Sequence, residues 1–449
     1  MKVKLITLGC PKNLVDSEHL HGGLLARGVE FTDEAADAQA IIINTCGFIE
    51  SAKEESIETI LDAVAMKKGG TVEKVIVTGC LSQRYGEELR SEIPEIDALY
   101  GNRDLGSIVS NMARDLRARR ELHGERYLLT PKHYAYLKIS EGCEHPCTFC
   151  AIPGIRGGFR STPIPELVTQ AQKLAEQSVR ELVLIAQDST QYGLDLDGRQ
   201  QLPALLRALA QVDGIEWIRL MYAYPWHMTD EIIAALAETE KVCAYLDMPV
   251  QHTSNRILKR MARRITAEKQ HAVIEKLRAR IPGLTLRTSV IVGFPGESEQ
   301  EFAELYDYVA EGHFDRLGVF TYSAEENTPA ARFEDDVPEP VKRERQDLLI
   351  QAQADSLEEK NHAFLGRRIR VLIDEYDPAA GVFRGRSEGD CPEIDNTVLV
   401  RGVCRIGAFY DVELCRAGAY ELEGEVVAAE PSASPAGGTL HIPVIPNGT

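Results

Sequence analysis

The stretch EGCEHPCTFC, residues 141–150, sets three thiols, Cys143, Cys147 and Cys150, in a C-x-x-x-C-x-x-C spacing. Thiolates are soft ligands that select zinc or iron–sulfur clusters. A closed zinc site takes four protein ligands, commonly as two separated pairs. Here His145 would have to be the fourth, yet it lies between two of the cysteines and no second C-x-x-C pair is present. The spacing better fits a four-iron cluster in which three cysteines hold three irons and the fourth iron stays open. An open iron can chelate a small molecule through an amine and a carboxylate. Three more cysteines, Cys10 in TLGCPKN, Cys46 in NTCGF and Cys80 in TGCLSQ, each close a short apolar run. Singly, each reads as a buried structural thiol. Together they read as a second three-cysteine cluster, again with one iron open, provided that the fold brings the three runs to one edge.

The runs that carry these cysteines predict an α/β fold. Over 1–117, KVKLITLG, AIIINTCG and KVIVTGC alternate with helical patterns such as NLVDSEHLHGGLLARG and SAKEESIETILDAVAMKK, the signature of crossover units and an open parallel sheet. In such sheets ligands gather outside the carboxyl ends of the strands, which is where all three cysteines fall. A basic, polar linker is expected over 118–132. A second alternation over 133–363, with strand candidates AYLKIS, ELVLIAQD, IEWIRLMYAY, VCAYLDMPV, LTLRTSVIVG and FDRLGVFTYS, predicts a partial or full parallel barrel with functional loops at its C-terminal face. The triple-cysteine loop follows its first strand. Further binding candidates sit at strand ends: Gln187 and Asp188 in AQDST, Gln251 and His252 in MPVQHTS, and Gly293 and Gly296 in VIVGFPGE, where a backbone could approach a ligand closely. Arg287, inside a strand, could fork onto a ligand carboxylate. A charged helix near 338–363 leads to short strand patterns over 364–430, expected as a small all-β domain. The Pro-, Gly- and Ser-rich tail, 431–449, is expected to be disordered.

Composition narrows the function classes. With 44% hydrophobic and 27% charged residues over 449 positions, the chain is that of a globular protein. No secretory h-region and no membrane span are legible, so a cytoplasmic location is expected. Ten cysteines in a reducing compartment are seldom a disulfide framework. A net charge of −19 opposes wide phosphate-backbone binding, so no DNA partner is expected and a basic protein partner is favoured.

The C-x-x-x-C-x-x-C loop placed after a first barrel strand resembles the radical S-adenosylmethionine superfamily. Joined to the strand-end cysteines of the first domain and to a C-terminal domain of the TRAM type, it resembles the methylthiotransferases over about residues 2–430. LGCPKNLVDSE, ISEGCEHPCTFCAIPGIRGG, YLDMPVQH and GRSEGDCPEIDN are similar to the branch that modifies ribosomal protein S-twelve. The resemblance implies two four-iron, four-sulfur clusters, each with three cysteine ligands: Cys143, Cys147 and Cys150, and Cys10, Cys46 and Cys80. It implies S-adenosylmethionine as both methyl donor and radical source, and methylthiolation of the β-carbon of an aspartate. Ribosomal protein S-twelve, free or in the small subunit, is the implied partner together with an electron-donor protein, and the enzyme is expected as a monomer. Residues 367–429 hold eight Arg and no Lys against twelve Asp plus Glu, the wrong sign for RNA and an attractive one for a basic ribosomal protein. The alternatives are methylthiolation of a transfer-RNA adenosine, or a non-enzymatic, metal-stabilised scaffold associated with translation. In RGGFRST, Thr162 stands where relatives usually carry a second arginine, a role that Arg160 would have to take over. Cys243, Cys391, Cys404 and Cys415 match no ligand spacing.

Overall fold

The computed structural model describes residues 1–116, 118 and 126–429. They divide into two compact units, Met1–Gln353 and a second beginning at Ala354. The tail expected over 431–449, and 119–125 of the expected linker, lie outside the described residues.

Apolar β-branched runs build the first sheet. Strands β1 (Lys2–Thr7), β2 (Glu30–Phe31), β3 (Ala40–Thr45), β4 (Lys74–Gly79) and β5 (Ala98–Leu99) are parallel in the order β2-β1-β3-β4-β5. Continuous rather than alternating apolar runs are what a sheet covered on both faces requires. Ile42 and Ile76 pack with Leu20 and Leu24 of helix α1 (Pro11–Ala26) on one face. Ile41, Ile43, Val75 and Val77 pack with Ile60 and Val64 of α2 (Glu50–Lys68), and with Leu81 and Leu89 of α3 (Cys80–Glu92), on the other. Helix α4 (Leu105–Asp115) adds Ile108, Val109 and Met112 to the α1 face. Each such fully buried side chain contributes about 1.5–3 kcal/mol. The register Thr7↔Asn44 and Thr45↔Gly79 keeps the carboxyl ends of β1, β3 and β4 level.

All six barrel strand candidates form: β6 (Tyr134–Lys138), β9 (Glu181–Ile185), β10 (Trp217–Leu220), β11 (Val242–Asp247), β12 (Thr285–Val292) and β13 (Arg316–Thr321). They make an open parallel sheet in sequential order, so of the two expectations the structure takes the partial barrel. Leu137, Leu182, Leu184, Ile218, Leu220, Leu246 and Leu286 form one core with the surrounding helices. Alternate residues point the other way: there Arg219 donates to Glu181 at 2.7 Å, both fully buried, with the guanidinium 4.6 Å from the Tyr245 ring. Two short antiparallel strands, β7 (Ser140–Glu141) and β8 (Arg160–Ser161), pinch off the loop between them.

The charged segment forms the helix Glu339–His362. The second unit carries β14 (Arg368–Asp377), β15 (Val382–Ser387), β16 (Thr397–Arg401), β17 (Phe409–Ala417) and β18 (Glu421–Ala429), closed as β14-β15-β16-β18-β17 around Val371, Ile373, Val398, Val400, Val412 and Leu414. The fifth strand, ELEGEVVAA, carries a weak apolar pattern because one of its positions is Gly424, where a Cβ would stand 2.5 Å from Val412 Cγ1.

Candidate functional site: two cysteine trios in one compact unit

The local trio hangs in the loop clasped by β7 and β8. Cys143 N donates to Gly157 O (3.1 Å), Thr148 N to Met261 O (3.1 Å), and Ala330 N to Thr148 O (2.8 Å), so the loop is fixed from three sides by main chain. Cys143 and Cys147 are buried and Cys150 half-buried. Burial pushes the Cys143 thiol up to about 11 and that of Cys150 to about 12, and the neighbouring thiols add to it. Donors nevertheless aim at the sulfurs: His145 N at Cys143 Sγ (3.5 Å) and Arg263 Nη1 at Cys147 Sγ (3.8 Å). Such a pocket favours thiolates when a cation shares it and thiols when none does.

His145 is engaged elsewhere. Its Nε2 meets Asp188 Oδ2 at 2.7 Å, and His227 Nδ1 meets the same oxygen at 3.1 Å. Thr190 N donates to Asp188 Oδ1 (2.8 Å). Burial raises the Asp188 carboxyl, but these hydrogen bonds outweigh it and hold the group near 2. The imidazole of His145 stacks on Tyr224 (4.2 Å between ring centroids), and Arg263 covers the Tyr224 ring at 3.8 Å. The ring that a zinc site would need is therefore tied to a buried carboxylate.

The second trio is assembled by topology. Cys10 caps α1, Cys46 follows β3 and Cys80 opens α3, all at level strand ends. Close approach is built in: Gly9, at φ +89°, would carry a Cβ 2.7 Å from Cys46 Cβ and 2.9 Å from its Sγ. Gly79, at φ +104°, would carry one 2.5 Å from Thr45 O. Asn13 stitches the edge, donating from Nδ2 to Leu8 O (2.9 Å) and Thr45 O (3.0 Å). Ser56 Oγ accepts from Cys46 N and donates to Cys46 O. Cys80 Sγ receives Asn102 Nδ2 at 3.3 Å and Arg156 Nη2 at 3.6 Å. Burial raises both Cys46 and Cys80, the latter to about 11, while Arg156 pulls each down.

Arg156 belongs to helix α5 (Ile152–Arg156), directly after the local trio, yet it reaches the other one. Its Nη2 also donates to Asn13 Oδ1 (2.6 Å), and its Nη1 to Asp16 Oδ2 (3.0 Å) and Glu141 (3.2 Å). Lys138 Nζ bridges Asp16 and Glu141. Burial opposes the Glu141 charge, but Lys138 and Arg156 win and hold its carboxyl near 2. Arg84 with Glu325 (3.0 Å), Tyr85 with Glu326 (2.9 Å), and Arg103 with the carbonyl of Gly154 (2.7 Å) join the sheet to the barrel elsewhere. Lys12 projects over the Tyr222 ring, Nζ 3.1 Å from the centroid.

The other candidates are placed as follows. Gln187 Nε2 donates to Glu141 Oε1 (3.0 Å). Gln251 has φ +71° and bridges to Val290. His252 is fully buried, its Nδ1 accepting from Ser254 N (2.9 Å) and its Nε2 3.7 Å from Glu297. Arg287 donates to Asp247 Oδ1 (2.9 Å). Gly293 and Gly296, at φ +68° and +84°, have protein side chains beside them, Lys342 and Arg260. Thr162 is held through its main chain, with N on Ile139 O and O receiving Tyr192 Oη (2.6 Å), while Arg160 is exposed on β8. Lys12, Asn13, Asp16, Glu141, Arg156, Tyr224, His227 and Arg263 were not singled out from sequence. Asn13 and Asp16 carried one signal, helical spacing after Cys10.

Residues 2–101 match the Uncharacterized protein family UPF0004, 137–309 the Radical SAM superfamily and 365–427 the TRAM domain. The Ribosomal protein uS12 methylthiotransferase RimO of Christiangramia forsetii is 46% identical over 427 residues, covering 94% of each chain. That of Clostridioides difficile is 46% identical over 444 residues, 95% of this chain and 99% of its own. Among solved structures, the radical S-adenosylmethionine methyltransferase TsrM from Kitasatospora setae superposes with a TM-score of 0.53 at 13% identity, over 73% of this chain and 76% of its own, a likeness of fold. Identity of this level along nearly the whole length places the chain in the family of ribosomal protein uS12 methylthiotransferases.

Proposed function

We propose that this protein attaches a methylthio group to the β-carbon of an aspartate in ribosomal protein S-twelve (uS12), using S-adenosylmethionine as methyl donor and radical source. The observation that carries the reading is the pairing of two cysteine trios in one compact unit, linked by Arg156, in a chain whose relatives bear that activity in their names. The donor sets suit two four-iron, four-sulfur clusters with three cysteine ligands each. Buried sulfurs with cationic and N–H donors around them match a four-iron cluster with three thiolates, whose net charge is negative. His145 Nε2 is bonded to Asp188 and is not needed as a fourth ligand when one iron stays open. When bound, the clusters and S-adenosylmethionine supply hydrogen-atom abstraction and the sulfur to be transferred.

The chain's own residues position and shield. Radical abstraction suits this carbon because an aspartate β-carbon has no leaving group and lies outside the range of ordinary side-chain bases. The carbon must then meet sulfur at about 3–3.5 Å, a positioning task for the Arg156–Asp16–Glu141–Lys138 network that fixes one trio against the other. Asn102 and Arg156 present N–H groups to Cys80, and Arg263 one to Cys147. The names of the relatives and the acidic 367–429 segment weigh against the transfer-RNA adenosine alternative. The test is mass spectrometry of uS12 after anaerobic incubation with reduced, iron-reconstituted enzyme and S-adenosylmethionine. A methylthio group on an aspartate is expected; an unmodified uS12 alongside a modified transfer RNA would overturn the substrate, and stoichiometric zinc with no 5′-deoxyadenosine would overturn the chemistry.

A further inference from the structure

Lys12 is a half-buried cation that no carboxylate pairs directly among the described residues. It stands at the start of α1, two places after Cys10, and its Nζ lies 3.1 Å from the centroid of the Tyr222 ring, just past the carboxyl end of β10. Among the described residues its ammonium has no hydrogen-bond or ion-pair partner, although it carries three donors. The nearby acids are already committed. Asp247 takes Arg287 on Oδ1 (2.9 Å) and Tyr222 N on Oδ2 (3.1 Å), and Glu141 takes Lys138 and Arg156. Tyr222 itself is held at φ +61°, a conformation a bulky residue adopts only when its surroundings impose it, and its carbonyl accepts from Ser189 N (3.0 Å). An aromatic face is thus held beneath an ammonium that faces the space between the sheet edge and the barrel mouth. Partly buried cations left without a counter-charge are costly, and an incoming anion relieves that cost.

From this geometry we infer that Lys12 and Tyr222 form a carboxylate subsite that grips the side chain of the target aspartate. The inference rests on the methylthiotransferase reading. Two carboxylates would enter this region, that of S-adenosylmethionine and that of the substrate. On that reading the C-x-x-x-C-x-x-C loop holds S-adenosylmethionine, which leaves the Cys10–Cys46–Cys80 trio to carry the sulfur; Lys12 arrives with the N-terminal sheet two places after Cys10, which favours the substrate. The β-carbon is bonded directly to the carboxylate carbon, so fixing the carboxylate fixes the atom that must lose hydrogen and receive sulfur. The same contact makes the enzyme select an acid over its amide, since asparagine has the shape of aspartate but offers no charge to the ammonium.

The test compares uS12 with a uS12 variant in which the target aspartate is replaced by asparagine, against wild-type enzyme, Lys12→Gln and Lys12→Arg, all reconstituted with iron and sulfide. Affinity is read by fluorescence anisotropy and turnover by mass spectrometry. Wild type is expected to prefer the aspartate form by about tenfold or more, the scale of a lost hydrogen bond to a charged group. Lys12→Gln is expected to bring the two forms within about twofold at unchanged iron content, and Lys12→Arg to keep most of the preference. A Lys12→Gln enzyme that discriminates as wild type does overturns the inference. So does a tenfold weaker affinity for S-adenosylmethionine with the aspartate preference intact, which would give the lysine to the cofactor. Should Lys12→Gln fold poorly, an Arg variant without preference, at normal iron content, overturns it equally. Failure of the wild-type enzyme to modify uS12 is a separate result, seen before any substitution; it removes the function and the subsite together.

Discussion

The two cysteine trios are positioned by opposite means. Cys143, Cys147 and Cys150 lie in one loop between β7 and β8, so their spacing is a property of a few residues of chain. Cys10, Cys46 and Cys80 are brought together only because three strands keep level ends and α1, α2 and α3 cover them. A loop-borne set tolerates change in the distant fold but none in its own spacing. A sheet-borne set has no spacing to preserve and depends on every contact that holds the edge.

The sharpest way to separate them is to remove one cysteine from each. Cys147→Ala is expected to lower 5′-deoxyadenosine formation by more than about 100-fold. Cys46→Ala is expected to abolish methylthio transfer while 5′-deoxyadenosine still forms at a measurable rate. Each should remove about half of the roughly eight irons of a fully loaded chain. Identical phenotypes would break the comparison. Arg156→Met comes next, because it strips the cation from Asp16, Glu141 and the Cys80 sulfur at once. Breaking a buried charge network costs about 3–5 kcal/mol, read as a lower midpoint in urea with both trios losing iron. Gly79→Ala should cost about 2–3 kcal/mol, from strain at φ +104° and collision with Thr45, and its iron loss should stop at about half.

The smallest effect touches neither trio. Glu301 accepts from Arg256 and from Ser298 N (3.0 Å) in a capping box at the start of the helix Glu299–Ala310. Burial raises its carboxyl, but Arg256 and the serines prevail and hold it near 2. Because the folded value lies below the unfolded one, near ~4.3, the stability it provides is complete above that pH and disappears as the pH falls toward 2. Glu301→Gln should cost about 1–2 kcal/mol at pH 7 and almost nothing near pH 2, with iron content unchanged at neutral pH. A pH-independent loss would assign the effect to packing.

What was legible follows the same division. The local trio is visible in ten letters because its geometry is covalent. The assembled trio was legible one step removed: the alternation of apolar runs and helices predicts a parallel sheet, and a parallel sheet predicts a shared edge for Cys10, Cys46 and Cys80. The partners of these cysteines were not legible. Arg156 finds Asn13 and Asp16 across more than a hundred residues of chain, and Asp188 gathers both His145 and His227. Such pairings are decided by side-chain reach after the fold exists, and no local pattern encodes them. Strand β18 is weakly encoded because Gly424 stands where alternation would demand an apolar residue.

In the second unit, β14 pairs with β17 and closes the ring of strands, so that among the described residues this sheet has no edge strand. A polypeptide cannot be gripped there by extending the sheet with a strand of its own. Anything this barrel recognises must be read by the chemistry of its side chains, so its acidic residues, rather than backbone pairing, would decide what it holds.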